Sequence, residues 1–147
     1  VKASQLMAVA ELSKRISTLK IEKIKISSPS DAAVLLMEEM RYYKKEYFKI
    51  ILLDTKNNIK KVCEISVGSL NSSIVHPREV FSEAVVNSAS SIILVHNHPS
   101  GESEPSHEDI VLTNRLDECG KILGIKVLDH IIIGDGVFYS FKEEGLL

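Results

Sequence analysis

The chain has 147 residues, 44% hydrophobic and 26% charged, with a formal net charge of −2 at neutral pH. That length supports one compact core, and no apolar run approaches the roughly 18 residues of a membrane span. A slightly acidic chain with no basic stripe and no tryptophan to stack on argues against direct nucleic-acid binding, and Cys63 and Cys119, outside any CxxC spacing, read as two buried thiols in a reducing, cytoplasmic compartment.

With Val1 in place of an initiating methionine, the stretch is expected to be a piece cut from a longer protein. Residues 3–19 are predicted as an amphipathic helix with Leu6, Val9, Ala10, Leu12 and Ile16 toward one side. Lysines gather over 14–25 and at Lys44, Lys45 and Lys49, each group interleaved with acids as on a solvated face. Ser27-Ser28-Pro29-Ser30-Asp31 reads as a linker and helix cap, separating a helical arm over 1–28 from a catalytic domain over 29–147. A helix over 31–43 leads to a strand over 47–54, the turn Asn57-Asn58 and a strand over 59–67, which together form a predicted hairpin.

After a loop over 68–73, His76-Pro77-Arg78-Glu79 has the look of a first helical turn, and Val80, Phe81, Ala84 and Val85 continue at helical spacing to Ser88. Ile92-Ile93-Leu94-Val95 has the length and β-branched content of a buried strand. A helix over 107–119 carries Ile110, Val111 and Leu116 and ends at Gly120. A buried strand over 127–133 turns through Gly134-Asp135-Gly136 into a closing strand over 137–141. The sum is an α/β fold of the α+β type, a mixed central sheet flanked by helices, without internal repeats.

The chemistry concentrates in Val95-His96-Asn97-His98-Pro99-Ser100-Gly101 and Pro105-Ser106-His107-Glu108-Asp109. Side chains two apart on a strand share a side, so His96 and His98 can reach one ion, while Asn97 points to the other face, where its amide is expected to hold the following loop. Pro99 offers no ladder hydrogen and Ser100-Gly101 is turn chemistry, so the strand is predicted to stop where ligands are needed. Ser106 reads as a helix N-cap with Asp109 three residues on, which puts Asp109 on the first turn. Two imidazoles and a carboxylate match the three protein ligands of a catalytic zinc site, at roughly 2.0–2.2 Å, with the fourth position left for water. Such an ion lowers the pKa of its water from about 15.7 to about 7, which makes hydrolysis the natural reaction class. Iron, manganese and nickel accept the same donors, so zinc is a preference within that class. The plainer alternative is two surface histidines at a strand end beside a serine and an aspartate that only cap a helix. His130, inside an apolar strand, can support a metal ligand from behind, but the reading preferred is a core histidine satisfied by a nearby backbone group, and His107 is expected to face solvent.

His-x-His-Pro-Ser-Gly followed by Pro-Ser-x-x-Asp resembles the JAMM motif of the MPN (JAB) metalloprotease superfamily. The stretch over 31–54, Gly68-Ser69-Leu70-Asn71, Val75-His76-Pro77-Arg78-Glu79-Val80-Phe81 and Leu128-Asp129-His130-Ile131-Ile132-Ile133-Gly134 extend the resemblance over nearly the whole chain. There it is similar to the C-terminal domain of the bacterial RadC family, long labelled DNA repair proteins. Residues 3–16 are similar to the helix that follows a helix-hairpin-helix segment in that family. The resemblance implies an MPN/JAB-like (cytidine-deaminase-like) sandwich with one Zn2+ on His96, His98 and Asp109. It also implies that Ser106 steadies the tetrahedral intermediate and that an upstream glutamate acts as general acid and base. In the family that glutamate opens a strand after an amphipathic helix, which selects Glu46 over Glu64 and Glu79.

The expectation is a zinc metallopeptidase acting on a peptide or isopeptide bond, with a peptide or protein substrate that the residues do not specify. The runner-up is a non-catalytic metal-containing interaction module in DNA repair or recombination. A third reading, metal-dependent phosphodiester cleavage, asks for more carboxylates than the motif supplies. No membrane partner is expected, and exposed strand edges with the N-terminal arm point to a weak homodimer.

Overall fold

The structure, a computed structural model, describes Met7 and residues 24–68 and 75–147. The helix expected over 3–19, Met7 apart, and the loop expected over 68–73, Gly68 apart, lie outside the described residues. The described elements are α1 (Pro29–Met40), β1 (Tyr47–Leu53), β2 (Ile59–Val67), α2 (Pro77–Val86), β3 (Ser91–Asn97), α3 (His107–Leu123), β4 (Lys126–Ile133) and β5 (Phe138–Ser140). The strands form one mixed sheet in the order β2-β1-β3-β4-β5. β3 and β4 run parallel, and the other neighbouring pairs are antiparallel. The α/β class and both predicted hairpins are therefore as expected.

Helices cover the sheet on both sides. On one face, Phe48, Ile50, Leu52, Ile92 and Leu94 pack against Val80, Phe81 and Ala84 of α2 and Leu112 and Leu116 of α3. On the other, Ile51, Leu53, Ile93, Val95, Ile131 and Ile133 pack against Ala32, Ala33, Leu36 and Met40 of α1. Strands buried on both faces read as unbroken apolar runs rather than alternating ones, which is why the central strands stood out in the sequence. Among the described residues, no helix is long and apolar enough to cross a membrane.

The element ends depart from expectation for local reasons. α1 starts at Pro29, not at residue 31, because Ser28 is the cap: its hydroxyl accepts the Asp31 N–H, and the Asp31 carboxylate accepts the Ser28 N–H. α2 starts at Pro77 behind His76, whose Nδ1 accepts the Arg78 N–H at 3.2 Å. α3 runs through Gly120 and stops at Gly124, whose φ of 71° is left-handed. Gly120 serves packing instead, since a methyl there would stand 2.5 Å from the Ile125 carbonyl oxygen. The face that α3 buries is Leu112, Thr113, Leu116 and Gly120, and Val111 is exposed. Cys63 is buried as expected, but Cys119 is only half-buried.

One irregularity positions the site. In the β3–β4 pair Ile92 faces Val127 and Ile93 faces Asp129, so Leu128 is an extra residue. A one-residue bulge reverses the alternation beyond it. It brings His130 opposite Leu94, on the same side of the sheet as His96.

Candidate metal centre

β3 delivers His96 at its carboxyl end, opposite Phe48 of β1 and on the face covered by α2 and α3. The β3–β4 pairing continues one residue further, where the His98 N–H donates to the Ile133 carbonyl at 2.9 Å. Two residues apart, the imidazoles turn to the same side, and their Nε2 atoms stand 3.0 Å apart. The chain then turns through Ser100 and Gly101, and the Gly101 carbonyl accepts the Asp135 N–H at 2.8 Å, which seats the loop on the β4–β5 turn. α3 begins beside it. Ser106 caps the helix, accepting the Asp109 N–H, while Asp109 Oδ2 accepts both the Ser106 N–H and its hydroxyl at 2.7 Å. The capping box predicted from the sequence thus also orients Asp109. Its Oδ1 lies 3.3 Å from His96 Nε2, and its Oδ2 lies 3.4 Å from His98 Nε2.

The hydrogen-bond chain behind these atoms fixes where the ring protons are. Thr113 donates its hydroxyl hydrogen to the Asp109 carbonyl at 2.6 Å. A hydroxyl has one hydrogen, so toward His130 Nδ1 the same oxygen must accept. His130 therefore carries its proton on Nδ1 and presents a bare Nε2. That atom lies 2.8 Å from His96 Nδ1, which must be the donor. The outcome is a neutral His96 with an unprotonated Nε2 facing Asp109. His98 is settled independently, because its Nδ1 is 3.0 Å from the Glu102 carbonyl oxygen, which can only accept. Phe48 and Phe141 enclose the buried pair: Phe48 stacks on His96 at 6.2 Å between centroids, and Phe141 on His130 at 4.8 Å.

The electrostatics agree with this assignment. Burial above all, then the neighbouring His130, holds His96 well below the ordinary histidine pKa. Burial pushes His130 down to about 4. Burial would raise the Asp109 carboxyl, but its contacts with His98, His96 and Ser106 outweigh this and hold it well below the usual carboxylate range. His98 moves upward, chiefly through Asp109, with the Glu102 carbonyl and Glu46 assisting. A field that favours a proton on His98 favours a cation among the three groups.

These residues fit an ion. The bare Nε2 of His96, the Nε2 of His98 and a carboxylate face one another, an arrangement that favours something positive among them. Ligands at about 2.0–2.1 Å around a tetrahedral zinc stand roughly 3.3–3.4 Å from one another. Here the two Nε2 atoms are 3.0 Å apart, and the carboxylate meets them with different oxygens, Oδ1 at 3.3 Å from His96 Nε2 and Oδ2 at 3.4 Å from His98 Nε2. His96, His98 and Asp109 are the metal-capable group found among the described residues.

Of the three glutamates weighed in the sequence, Glu46 lies just before β1 and lines an open hollow of about 400 Å3 with Lys45, Gly68 and Pro99, next to His98. Glu64 is on β2 opposite Lys49, on the side of the sheet away from His96 and within the field of Tyr43. Glu79 occupies the exposed first turn of α2. Asn97 holds the segment before β1, not the following loop: the Tyr47 N–H donates to its Oδ1 at 2.8 Å and its Nδ2 donates to the Lys45 carbonyl at 3.1 Å. His107 is exposed, as expected. His130 corrects the expectation of a backbone partner, for it bridges His96 and Thr113. Thr113 was missed altogether. Its only sequence signal is a polar residue between Leu112 and Leu116 on the inward stripe of α3.

A family model described as the RadC-like JAB domain matches residues 26–146. The chain is 61% identical over 147 residues to a UPF0758 protein of Alkaliphilus metalliredigens, covering 99% of this chain and 63% of the relative. It is 58% identical to one of Clostridium tetani, covering 99% and 64%. Against one of Caldanaerobacter subterraneus subsp. tengcongensis it is 58% identical over 145 residues, covering 98% and 62%. The chain thus spans less than two thirds of the length of these relatives.

Proposed function

The chain belongs to the RadC-like JAB domain family, and from that premise we propose that it is a zinc-dependent hydrolase of the JAMM type that cuts a peptide or isopeptide bond. One observation carries the reading: His96, His98 and Asp109 each bring one ligand atom to within 4.8 Å of the others, with the Nδ1–H of both rings engaged behind them. His96 Nε2, His98 Nε2 and the Asp109 carboxylate would hold the ion. When bound, the ion supplies a Lewis acid and lowers the pKa of water at its open corner.

The remaining steps belong to the protein. Glu46 takes a proton from the attacking water and returns it to the leaving nitrogen. Ser106, at the N-terminus of α3, gives its one hydroxyl hydrogen to Asp109 Oδ2 in the metal-free site and turns it to the developing oxyanion once the Asp109 carboxylate is engaged by the ion. His130 and Thr113 keep His96 neutral with Nε2 turned to the site. The hollow beside Glu46 and Pro99 is where the substrate backbone enters. The free thiols of Cys63 and Cys119 support a reducing, cytoplasmic setting. We take residues 29–147 as the catalytic domain, 1–28 as an arm, and the assembly as a weak homodimer.

Metal analysis of the purified full-length protein, followed by a peptide-library assay of wild type against Glu46→Ala, tests this reading. The expected result is one zinc per chain in both proteins, and hydrolysis reduced about 10²- to 10⁴-fold in the variant. Zinc bound without hydrolysis of any library member would overturn the enzymatic reading in favour of an interaction module with a structural ion.

A further inference from the structure

Asn97 stands between the two imidazole ligands in sequence and points away from them. It is 1% exposed, so its amide must find partners inside the protein. Both ends of that amide engage one short segment of another element. Oδ1 accepts the N–H of Tyr47 at 2.8 Å, and Nδ2 donates to the carbonyl of Lys45 at 3.1 Å. Glu46 is the residue between them. Its own carbonyl accepts the Gly68 N–H at 2.9 Å.

The position of this clamp is informative. The β1–β3 ladder begins with Phe48 opposite His96. One residue earlier the backbone ladder gives way, and a side chain takes over. Ladder bonds would continue a strand; an amide reaching across both flanking peptide units fixes the residue that they enclose. That residue lines the hollow shared with Pro99.

We propose that Asn97 is the positioning residue for Glu46, setting where the Glu46 carboxylate stands relative to His96 and His98. Three consecutive residues, the last two of β3 and His98, which is tied to the Ile133 carbonyl of β4, then place both imidazole ligands and the proton acceptor, so the distance between them is referred to one end of the sheet. A misplacement of about 1 Å in such a group costs on the order of 10²-fold in rate. The inference rests on the reading of Glu46 given above.

The test compares full-length wild type, Asn97→Ala, Glu46→Gln and the double variant, each loaded with cobalt. Three quantities are measured: cobalt affinity, the midpoint of the pH-dependent change in the visible spectrum, and turnover of a peptide identified in the library assay. Asn97→Ala is expected to keep the cobalt affinity of wild type, to move the spectral midpoint in the direction that Glu46→Gln moves it, and to lower kcat about 10²-fold with KM little changed. The double variant is expected to match Glu46→Gln alone, because the clamp has nothing left to position. Additive effects in the double variant, or a midpoint left at the wild-type value in Asn97→Ala while Glu46→Gln shifts it, would overturn the role of Asn97 and leave that of Glu46 standing. A midpoint and turnover unmoved by Glu46→Gln itself would overturn both. Should Asn97→Ala fail to fold, Asn97→Thr, of similar volume and with a single hydroxyl, replaces it under the same criteria.

Discussion

Replacing Thr113 with valine removes one oxygen from a wholly buried position while leaving the shape of the side chain nearly intact. The Asp109 carbonyl loses one of its donors but keeps its place in the helical ladder of α3, so the loss falls on the Nδ1–H of His130. A buried donor without an acceptor costs about 1–3 kcal/mol. His130 can escape that cost by moving its proton to Nε2. Nε2–H would then face His96 Nδ1–H across 2.8 Å, and His96 would have to move its own proton to Nε2. That nitrogen is the one aimed at Asp109 and proposed to ligate the ion. The metal-free protein tolerates the exchange, since a protonated His96 Nε2 can donate to Asp109 Oδ1. The metal-loaded protein does not.

The penalty therefore appears on binding. At about 1.4 kcal/mol per tenfold, 1–3 kcal/mol becomes a roughly 5- to 150-fold loss of zinc affinity, which overlaps the 10- to 100-fold range for partners of metal-bound histidines. Competition titration with a chromophoric chelator measures it, alongside thermal unfolding of the metal-free proteins. A folded Thr113→Val that binds zinc as tightly as wild type would refute the assigned proton positions.

Three further outcomes follow from the same structure. Ser106→Ala removes the cap of α3 and is expected to cost about 1 kcal/mol in urea unfolding of the metal-free protein, most of it restored by Ser106→Thr. At saturating zinc it should also lower kcat about 10²- to 10³-fold, and an unchanged kcat would remove Ser106 from the oxyanion role. Gly120→Ala places a methyl 2.5 Å from the Ile125 carbonyl oxygen; because that oxygen is backbone, a strain of about 1–3 kcal/mol outweighs the ~1 kcal/mol gained in helix propensity, and a more stable variant would contradict the packing described. Burial pushes the Cys63 thiol up to about 11, with its hydrogen bond to Glu83 adding to the effect. Only the thiolate reacts, so alkylation of Cys63 followed by mass spectrometry should keep rising roughly tenfold per pH unit well above pH 9, and a plateau near pH 9 would contradict the burial.

Parts of this arrangement are legible in the sequence because they are local. His96 and His98 share a side through strand alternation, and Asp109 follows Ser106 at the spacing of a capping box, so the candidate ligands need only short-range geometry. The doubly covered strands announce themselves as apolar runs. Helix faces are harder: Ile110 and Val111 are the more apolar pair, yet α3 turns Leu112, Thr113 and Gly120 inward, because Gly120 permits the close approach to Ile125.

The supports of the site were not legible, because they depend on register. Asn97 meets Tyr47 across 50 positions of sequence, and His96 meets His130 across 34. Strict alternation from Val127, which packs on the α2 and α3 side, would put Asp129 on that side and His130 on the other. The extra residue at Leu128 reverses this. It carries His130 under His96 and turns Asp129 to the opposite face, where its carboxylate accepts from the Ser140 hydroxyl and the Lys142 N–H. A single bulge thus decides whether an imidazole or a carboxylate stands behind the ligand. With Asp129 there, His96 Nδ1–H would face a buried anion, a stronger electron donor than imidazole; with His130 the ligand stays neutral, and the charge opposing the cation is concentrated on Asp109.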